Sequence, residues 1–160
     1  MEKIYLTFGT NKILNSIINE NTSSEIIPIS KNGEQQLGIM SSIKLSGTDN
    51  SIEFDIVNKY QVTQYDRKPI AFMFTYLTGE NKIAKITDKT LQTLSKNDFV
   101  KDNAVELIFA KEHKDLKRYV LITSWDNIND LQHFKNSKLI DSIVSNYYSH
   151  FNIIYTRGLD

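Results

Sequence analysis

Histidine, carboxylate and thiol side chains carry much of protein chemistry, and this chain offers few of them at useful spacings. It has three histidines and no cysteine, so thiolate nucleophiles, disulfides and Cys-based zinc or iron–sulfur sites are excluded. His113, His133 and His150 form no H-x-H or H-x-x-x-H pair, so a metal site would depend on tertiary proximity alone. We therefore expect no metal site, and interpret His113 as a turn residue and His133 as a helix-surface residue.

The usual motifs of catalysis and nucleotide binding are also missing. Asp126 and Asp130 lie about one helical turn apart near a predicted helix start, where they favour the helix dipole rather than acid–base chemistry. The six glycines form no G-x-G pair and no P-loop, and no G-x-S-x-G elbow occurs. The residues alone therefore show no complete catalytic centre.

The composition is that of a folded, charge-balanced protein. The chain has 160 residues, of which 40% are hydrophobic and 24% charged, which is enough apolar material for a core. Its formal net charge is +0, which argues against a nucleic-acid partner because phosphate neutralisation drives that affinity. No signal peptide is evident, and the longest apolar run, 70–77, is too short for a membrane helix. We expect a cytoplasmic protein whose contact with a membrane would be peripheral.

The apolar pattern divides the chain into two halves, residues 1–64 and 65–160. In the first half, apolar residues recur with the helical period at 11–20, which predicts a helix. The predicted strands of this half lie at 3–8, 25–30, 36–40 and 42–45.

The stretch 51–60 fits two patterns. Ile52, Phe54 and Ile56 alternate as in a strand, whereas Ile52, Ile56 and Val57 share the face of a helix that would begin with a capping box. We choose the helix. The first half then reads strand, helix, a run of short strands, helix, which we interpret as the order strand, helix, two strands, helix.

The second half repeats this order and adds a strand. Its predicted helices cover 88–97 and a stretch from Asn127 or Asn129 to about 148, with a break at 136–137. Its predicted strands lie at 70–77, 105–110, 116–124 and 151–156. The order is the βαββα(β) order of ferredoxin-like α+β proteins. Because each half exposes an apolar sheet face, we expect an intrachain pseudo-dimer or a homodimer.

Three parts of the sequence resemble a known family. They are residues 4–10 (IYLTFGT), residues 51–57 (SIEFDIV), and residues 119–125 (YVLITSW) followed by 134–137 (FKNS). Together they resemble the antibiotic-biosynthesis-monooxygenase (ABM) superfamily, and within it the staphylococcal TRAP signal-transduction proteins and the related bacillus-type heme monooxygenases. The resemblance implies a ferredoxin-like ABM fold of the dimeric α+β barrel type.

Heme-degrading members of this family use an Asn, a Trp and a His, and the resemblance implies that one of the three is kept here. Trp125 matches the Trp. Val144 stands where the His would be and cannot ligate iron, and Phe74 stands roughly where the Asn would be. His133 and His150 lie too far along or around the predicted helix to replace the ligand.

The main functional hypothesis is therefore a TRAP-like, non-catalytic regulatory or stress-related protein. It would act through self-association and a protein partner, and we expect it to need no cofactor. TRAP-type proteins have been described as histidine-phosphorylated and membrane-associated, and His150 is the nearest candidate for such a phosphorylation.

The alternative hypothesis is a heme-binding or heme-degrading monooxygenase with an unusual ligand. A third is a cofactor-free monooxygenase that acts on an aromatic substrate. For the heme hypothesis, the predicted pocket lies between the second-half sheet and the helix after Trp125. Its predicted lining is Phe72, Phe74, Tyr76, Trp125, Phe134, Ile140, Val144 and Tyr148.

Overall fold

The computed structural model describes residues 2–22, 26–31, 37–47, 51–62, 68–115 and 117–158. Its strands are β1 (Lys3–Gly9), β2 (Ile26–Lys31), β3 (Leu37–Ser41), β4 (Ile52–Gln61), β5 (Ala71–Thr78), β6 (Ala104–Glu112), β7 (Arg118–Trp125) and β8 (Ser149–Arg157). Its helices are α1 (Asn11–Glu20), α2 (Asn81–Leu94), α3 (Asp98–Asn103), α4 (Ile128–Lys135) and α5 (Asp141–Val144).

The strands form one closed antiparallel barrel in the order β1-β3-β2-β8-β5-β7-β6-β4. The first half supplies the run β4-β1-β3-β2 and the second half supplies β8-β5-β7-β6, so the two runs have the same internal order. Pairing of β2 with β8 and of β4 with β6 joins the runs and closes the barrel within one chain. The predicted ferredoxin-like α+β class is confirmed.

The predicted helix at 51–60 is wrong, because this stretch is strand β4. Ile52, Phe54 and Ile56 face the barrel interior. The pairing with β6 then shifts register between Ile56 and Asn58, which marks a β-bulge. A bulge inserts one extra residue into the strand, so the positions that face inward before the bulge face outward after it. The alternation of apolar residues is thereby interrupted, and their spacing resembles that of a helix. The first half consequently has no second helix in its described residues.

Three further features differ from the sequence prediction. Residues 42–45 do not form a strand, because the chain bends after Ser41, whose hydroxyl donates to the Ile43 carbonyl at 2.8 Å. The helix predicted at 88–97 begins earlier, at Asn81, and ends at Leu94. The short helix α3 follows and was not predicted.

The start of α4 shows that the predicted cap is Asn127 rather than Asn129. The Asn127 side chain accepts a hydrogen bond from the Asn129 N–H at 2.7 Å. Asp130 lies in the first turn of the helix, where a carboxylate favours the helix dipole. The loop between β7 and α4 is therefore fixed close to Trp125.

The barrel wall separates two large apolar cores. One, called the barrel interior, contains inward-facing side chains from every strand, including Leu6, Phe54 and Phe74. The other, called the helix-side cluster, lies between the outer faces of β5 to β7 and the second-half helices, and includes Leu91 and Trp125. Because side chains alternate across a strand, neighbouring residues of β5 enter different cores. A smaller cluster lies beneath α1.

Candidate functional site

Trp125 ends strand β7 and is fully buried in the helix-side cluster. Its indole N–H donates to Thr123 Oγ1 at 2.9 Å. Its ring centroid lies 5.1 Å from that of Phe134 on α4 and 6.0 Å from that of Phe99 on α3. Aromatic side chains therefore fill the space between the end of β7 and the helices that cover it.

The structure does not assemble the predicted pocket. Phe72, Phe74 and Tyr76 point into the barrel interior, because alternate residues of β5 face that side. Tyr148 is 68% exposed, and its hydroxyl donates to Glu80 Oε1 at 2.7 Å. The remaining members belong to the helix-side cluster, and they are Trp125, Phe134, Ile140 and Val144. The barrel wall thus separates the predicted lining into two groups, with Tyr148 outside both.

The side chain at the family's ligand position does not fit a heme. Heme iron takes a nitrogen, sulfur or phenolate axial ligand from a protein, whereas Val144 on α5 offers only methyl groups and packs against the helix-side cluster. Thr75 Oγ1 is fully buried without a hydrogen-bond partner, but a threonine hydroxyl is not such a ligand. His133 and His150 are both exposed, the first on α4 and the second on β8.

A second constellation, called the β1–β4 polar cluster, consists of Lys3, Glu53, Asp55 and His113. Lys3 Nζ donates to Glu53 Oε1 at 2.6 Å and to Asp55 Oδ1 at 2.9 Å. His113 Nδ1 lies 2.9 Å from Asp55 Oδ2, and the His113 backbone N–H donates to the Glu53 carbonyl at 2.9 Å. The two carboxylates project outward from β4, the strand that stands in place of the predicted second helix.

The β1–β4 polar cluster contains metal-binding residue types but already holds its own cation. Candidate ligand atoms of Glu53, Asp55 and His113 lie within 4.8 Å of one another, and these residue types bind zinc. The Lys3 ammonium, however, contacts both carboxylates and supplies the positive charge that a metal ion would bring. We interpret the cluster as an ion-pair network.

Sequence reasoning missed this cluster because 51–60 was interpreted as a helix. Residues two apart point in different directions on a helix but share a face of a strand. His113 was interpreted as an ordinary turn residue, and it does follow the end of β6. The strand alternation of 52, 54 and 56 was the signal that would have brought Glu53 and Asp55 together.

Comparison with solved structures shows proteins of the same architecture. A major regulator of staphylococcal pathogenesis matches with a TM-score of 0.76 and 13% identity, covering 98% of this chain and 99% of its own. A heme-degrading enzyme from Listeria monocytogenes, LmHde, matches at 0.75 and 15% identity, covering 98% and 99%. A ferredoxin-fold protein related to antibiotic biosynthesis monooxygenases, also from L. monocytogenes, matches at 0.78 and 15% identity, covering 100% and 96%.

The chain has the ferredoxin-like ABM fold. At these identities the likeness shows the fold and not the activity, and the neighbours include both a regulator and a heme-degrading enzyme. No protein-family profile matches the sequence, and no curated protein is significantly similar to it. No helix in the described part of the chain is long and apolar enough to cross a membrane.

In this ABM-fold chain, the Lys3 ammonium holds the pKa of both Glu53 and Asp55 below the ordinary carboxyl range. Its hydrogen bonds are the largest cause, and His113 adds to the effect on each carboxylate. The same contacts raise the pKa of Lys3. A carboxyl whose pKa is lowered by folding stabilises the fold above its unfolded-state pKa, and this stabilisation is lost as the pH falls through the folded-state pKa.

Replacing Lys3 with methionine is therefore expected to raise the pKa of the Glu53 and Asp55 carboxyls. The variant should have a lower urea midpoint than the wild type at neutral pH, and the two midpoints should converge in acid, where both carboxyls are protonated. Carbon-detected NMR titration of the carboxyls measures the shift. Lys12→Met on α1 serves as the control, because Lys12 is exposed. Unchanged carboxyl pKa values in Lys3→Met would refute the network.

Proposed function

We propose that this chain is a TRAP-like, non-catalytic regulatory protein that acts through self-association and a protein partner and needs no heme. The observation that carries the proposal is the burial of Trp125. The residue that the family resemblance assigns to heme chemistry is fully buried and packs against Phe134 and Phe99. A catalytic tryptophan has to reach its cofactor, whereas the Trp125 side chain is 0% exposed and its indole N–H already donates to Thr123 Oγ1.

Two further observations support the proposal. Val144, at the position of the family histidine, is an aliphatic member of the helix-side cluster. A staphylococcal regulator has the same fold over nearly the whole chain. His150 remains the candidate for phosphorylation, since it is exposed near the start of β8. We further propose a cytoplasmic location, on the basis of the sequence expectation.

A heme titration tests the proposal. Hemin is added to the purified protein and followed by its Soret absorbance, and the same is done with Val144→His, which restores a histidine at the family position. We expect no saturable Soret shift in either protein, because side chains fill the space beside Trp125. Circular dichroism of Val144→His serves as the check that this variant is folded.

Comparison of the wild type with Val144→His shows whether heme binding fails because the ligand is missing or because side chains fill the space. Saturable binding at one heme per chain by the wild type, with bleaching by ascorbate, would replace the proposal with the monooxygenase alternative. Binding by Val144→His alone would show that the helix side opens for heme and that only the ligand is lacking. That result would contradict the packing argument.

A further inference from the structure

One mouth of the barrel holds a cavity with an aliphatic floor. The cavity has a volume of about 470 Å³ and lies where β1 and β2 begin and where β3 ends. This aliphatic mouth is defined by its five floor residues, Ile4, Ile27, Met40, Ile56 and Ile108, which come from β1, β2, β3, β4 and β6. These five strands are neighbours in the barrel, so the floor residues form one continuous surface.

The floor of the aliphatic mouth belongs to the barrel interior but is not fully covered. Ile4 is 6% exposed, and the other four floor residues pack against the barrel interior while remaining only partly buried. Phe54, in the same core, is fully buried. Apolar surface left in contact with water favours an apolar molecule that displaces the water. Barrels of eight strands are wide enough inside to hold one small ligand.

The bulge in β4 lies at the rim of this mouth. The register of β4 with β6 shifts between Ile56 and Asn58, and both Ile56 and Lys59 line the cavity. A bulge bends its strand, and bulges recur at barrel rims and beside active sites. Two independent features, an irregular strand and an incompletely covered apolar floor, thus coincide at one mouth of the barrel.

The charged side chains at the rim balance one another. Two cations, Lys3 and Lys59, and two carboxylates, Glu2 and Glu106, are among the described residues that line the cavity. Lys3 belongs to the β1–β4 polar cluster, and Lys59 Nζ lies 3.5 Å from Glu106 Oε2. The described rim therefore offers no excess charge of either sign, and a ligand that matches it is uncharged.

The floor favours an aliphatic chain over a ring. Its four isoleucines and one methionine carry no π-system, so an aromatic ligand would gain none of the ring–ring contacts that aromatic groups prefer. Methionine is flexible and fills irregular gaps, so Met40 is able to adjust to a chain. Tyr5 also borders the cavity, but it points to the outer face of the wall, where its hydroxyl donates to Glu53 Oε1 at 3.3 Å.

We propose that the aliphatic mouth binds a small uncharged amphiphile of the chemical class of medium-chain aliphatic alcohols. Its chain packs against the floor residues, and its hydroxyl stays at the rim, where Ser41 and Ser42 lie. The cavity volume falls within the roughly 300–1,000 Å³ of small-molecule sites. The described lining shares no residue with the helix-side cluster, so the test of this site and the heme titration succeed or fail independently.

Methyl NMR of protein labelled at the isoleucine δ1 methyl groups tests the site, because four of the five floor residues are isoleucines. 1-Butanol, 1-hexanol and 1-octanol are titrated in turn. We expect saturable shifts at the four floor methyls and none at Ile153, at the opposite mouth, or at Ile143, in the helix-side cluster. Affinity should rise by about 3- to 4-fold for each added methylene, which corresponds to the transfer free energy of a buried CH₂ group.

Two results of this titration would overturn the proposal. One is the absence of saturable shifts at the floor methyls up to the solubility limit of 1-octanol. The other is an equal shift at Ile153 or Ile143, which would show that the alcohol does not prefer the aliphatic mouth. Octanoate and octylammonium keep the chain and add a charge, and each should bind more weakly than 1-octanol because the balanced rim does not compensate for the lost hydration. Tighter binding of either ion would contradict the uncharged class.

A matched pair of variants tests the floor itself. Ile27 and Ile153 are both partly buried isoleucines that pack against the barrel interior, and they line opposite mouths. Ile27→Asp is expected to weaken 1-octanol binding by about 10-fold or more, because the chain would strip water from a carboxylate, whereas Ile153→Asp should leave binding unchanged. Met40→Gln keeps the side-chain length, should weaken binding in the same direction, and replaces Ile27→Asp if circular dichroism shows that variant unfolded. Wild-type affinity in the folded floor variant would refute the assignment.

Discussion

Replacing Trp125 with alanine is expected to lower the free energy of unfolding by about 3–5 kcal/mol, the usual cost of emptying a large aromatic site in a core. Trp125 is fully buried and contacts the rings of Phe134 and Phe99. Deleting the indole leaves a cavity between β7 and the helices, and these elements cannot close over it completely. Domains of this size have a total stability of about 5–15 kcal/mol, so the loss is a large share of it.

Urea unfolding followed by far-ultraviolet circular dichroism measures this effect. Fluorescence is unsuitable because Trp125 is the only tryptophan. Trp125→Phe is the matched control, since it keeps an aromatic ring in the site and should lose less stability. If Trp125→Ala unfolded at the wild-type urea concentration, packing would not be the role of this residue. The heme-based alternative would then regain weight.

Replacing Phe54 with alanine is expected to cost a similar amount, about 3–5 kcal/mol. Phe54 lies on β4, is fully buried in the barrel interior and has its ring 6.3 Å from that of Tyr76. The cavity would open at the centre of the barrel, where strands from both halves meet. Thermal or urea unfolding of the purified variant measures the loss.

Val57→Ala is the control for Phe54→Ala. The helical and the strand interpretations of 51–60 predict opposite orders of stability loss for these two variants. In the helical interpretation of 51–60, Val57 faces the core with Ile52 and Ile56, whereas Phe54 lies off that face. In the structure Val57 is 49% exposed, so its truncation should change stability by no more than about 0.5 kcal/mol. A larger loss for Val57→Ala than for Phe54→Ala would show that this stretch is not the inward-facing strand described here.

The α+β class and most elements were predictable from local pattern. The apolar period of 11–20, the β-branched and aromatic run at 70–77 and the polar turn before β7 each reflect a local burial pattern, and each predicted an element near its observed place. The repeat was visible in part, because the order strand, helix, two strands recurs in both halves, whereas the predicted last helix of the first half is strand β4. The family resemblance directed attention to Trp125 and Val144.

Tertiary structure decided the matters that depend on strand pairing across the chain. The bulge between Ile56 and Asn58 arises from the pairing of β4 with β6, and no local pattern reveals it. That pairing brings His113 to Glu53 and Asp55. Likewise, Phe74 and Trp125 come from adjacent strands, yet they lie on opposite sides of the barrel wall.

The sequence by itself thus determined which segments are strands and helices wherever the apolar residues follow either the helical or the strand period. It also determined the absence of a cysteine-based site. Tertiary structure alone decided which face of the wall each aromatic residue occupies. The physical reason is that side-chain direction on a strand alternates with every residue. A shift of one position, invisible in composition or period, therefore moves a side chain from one core to another.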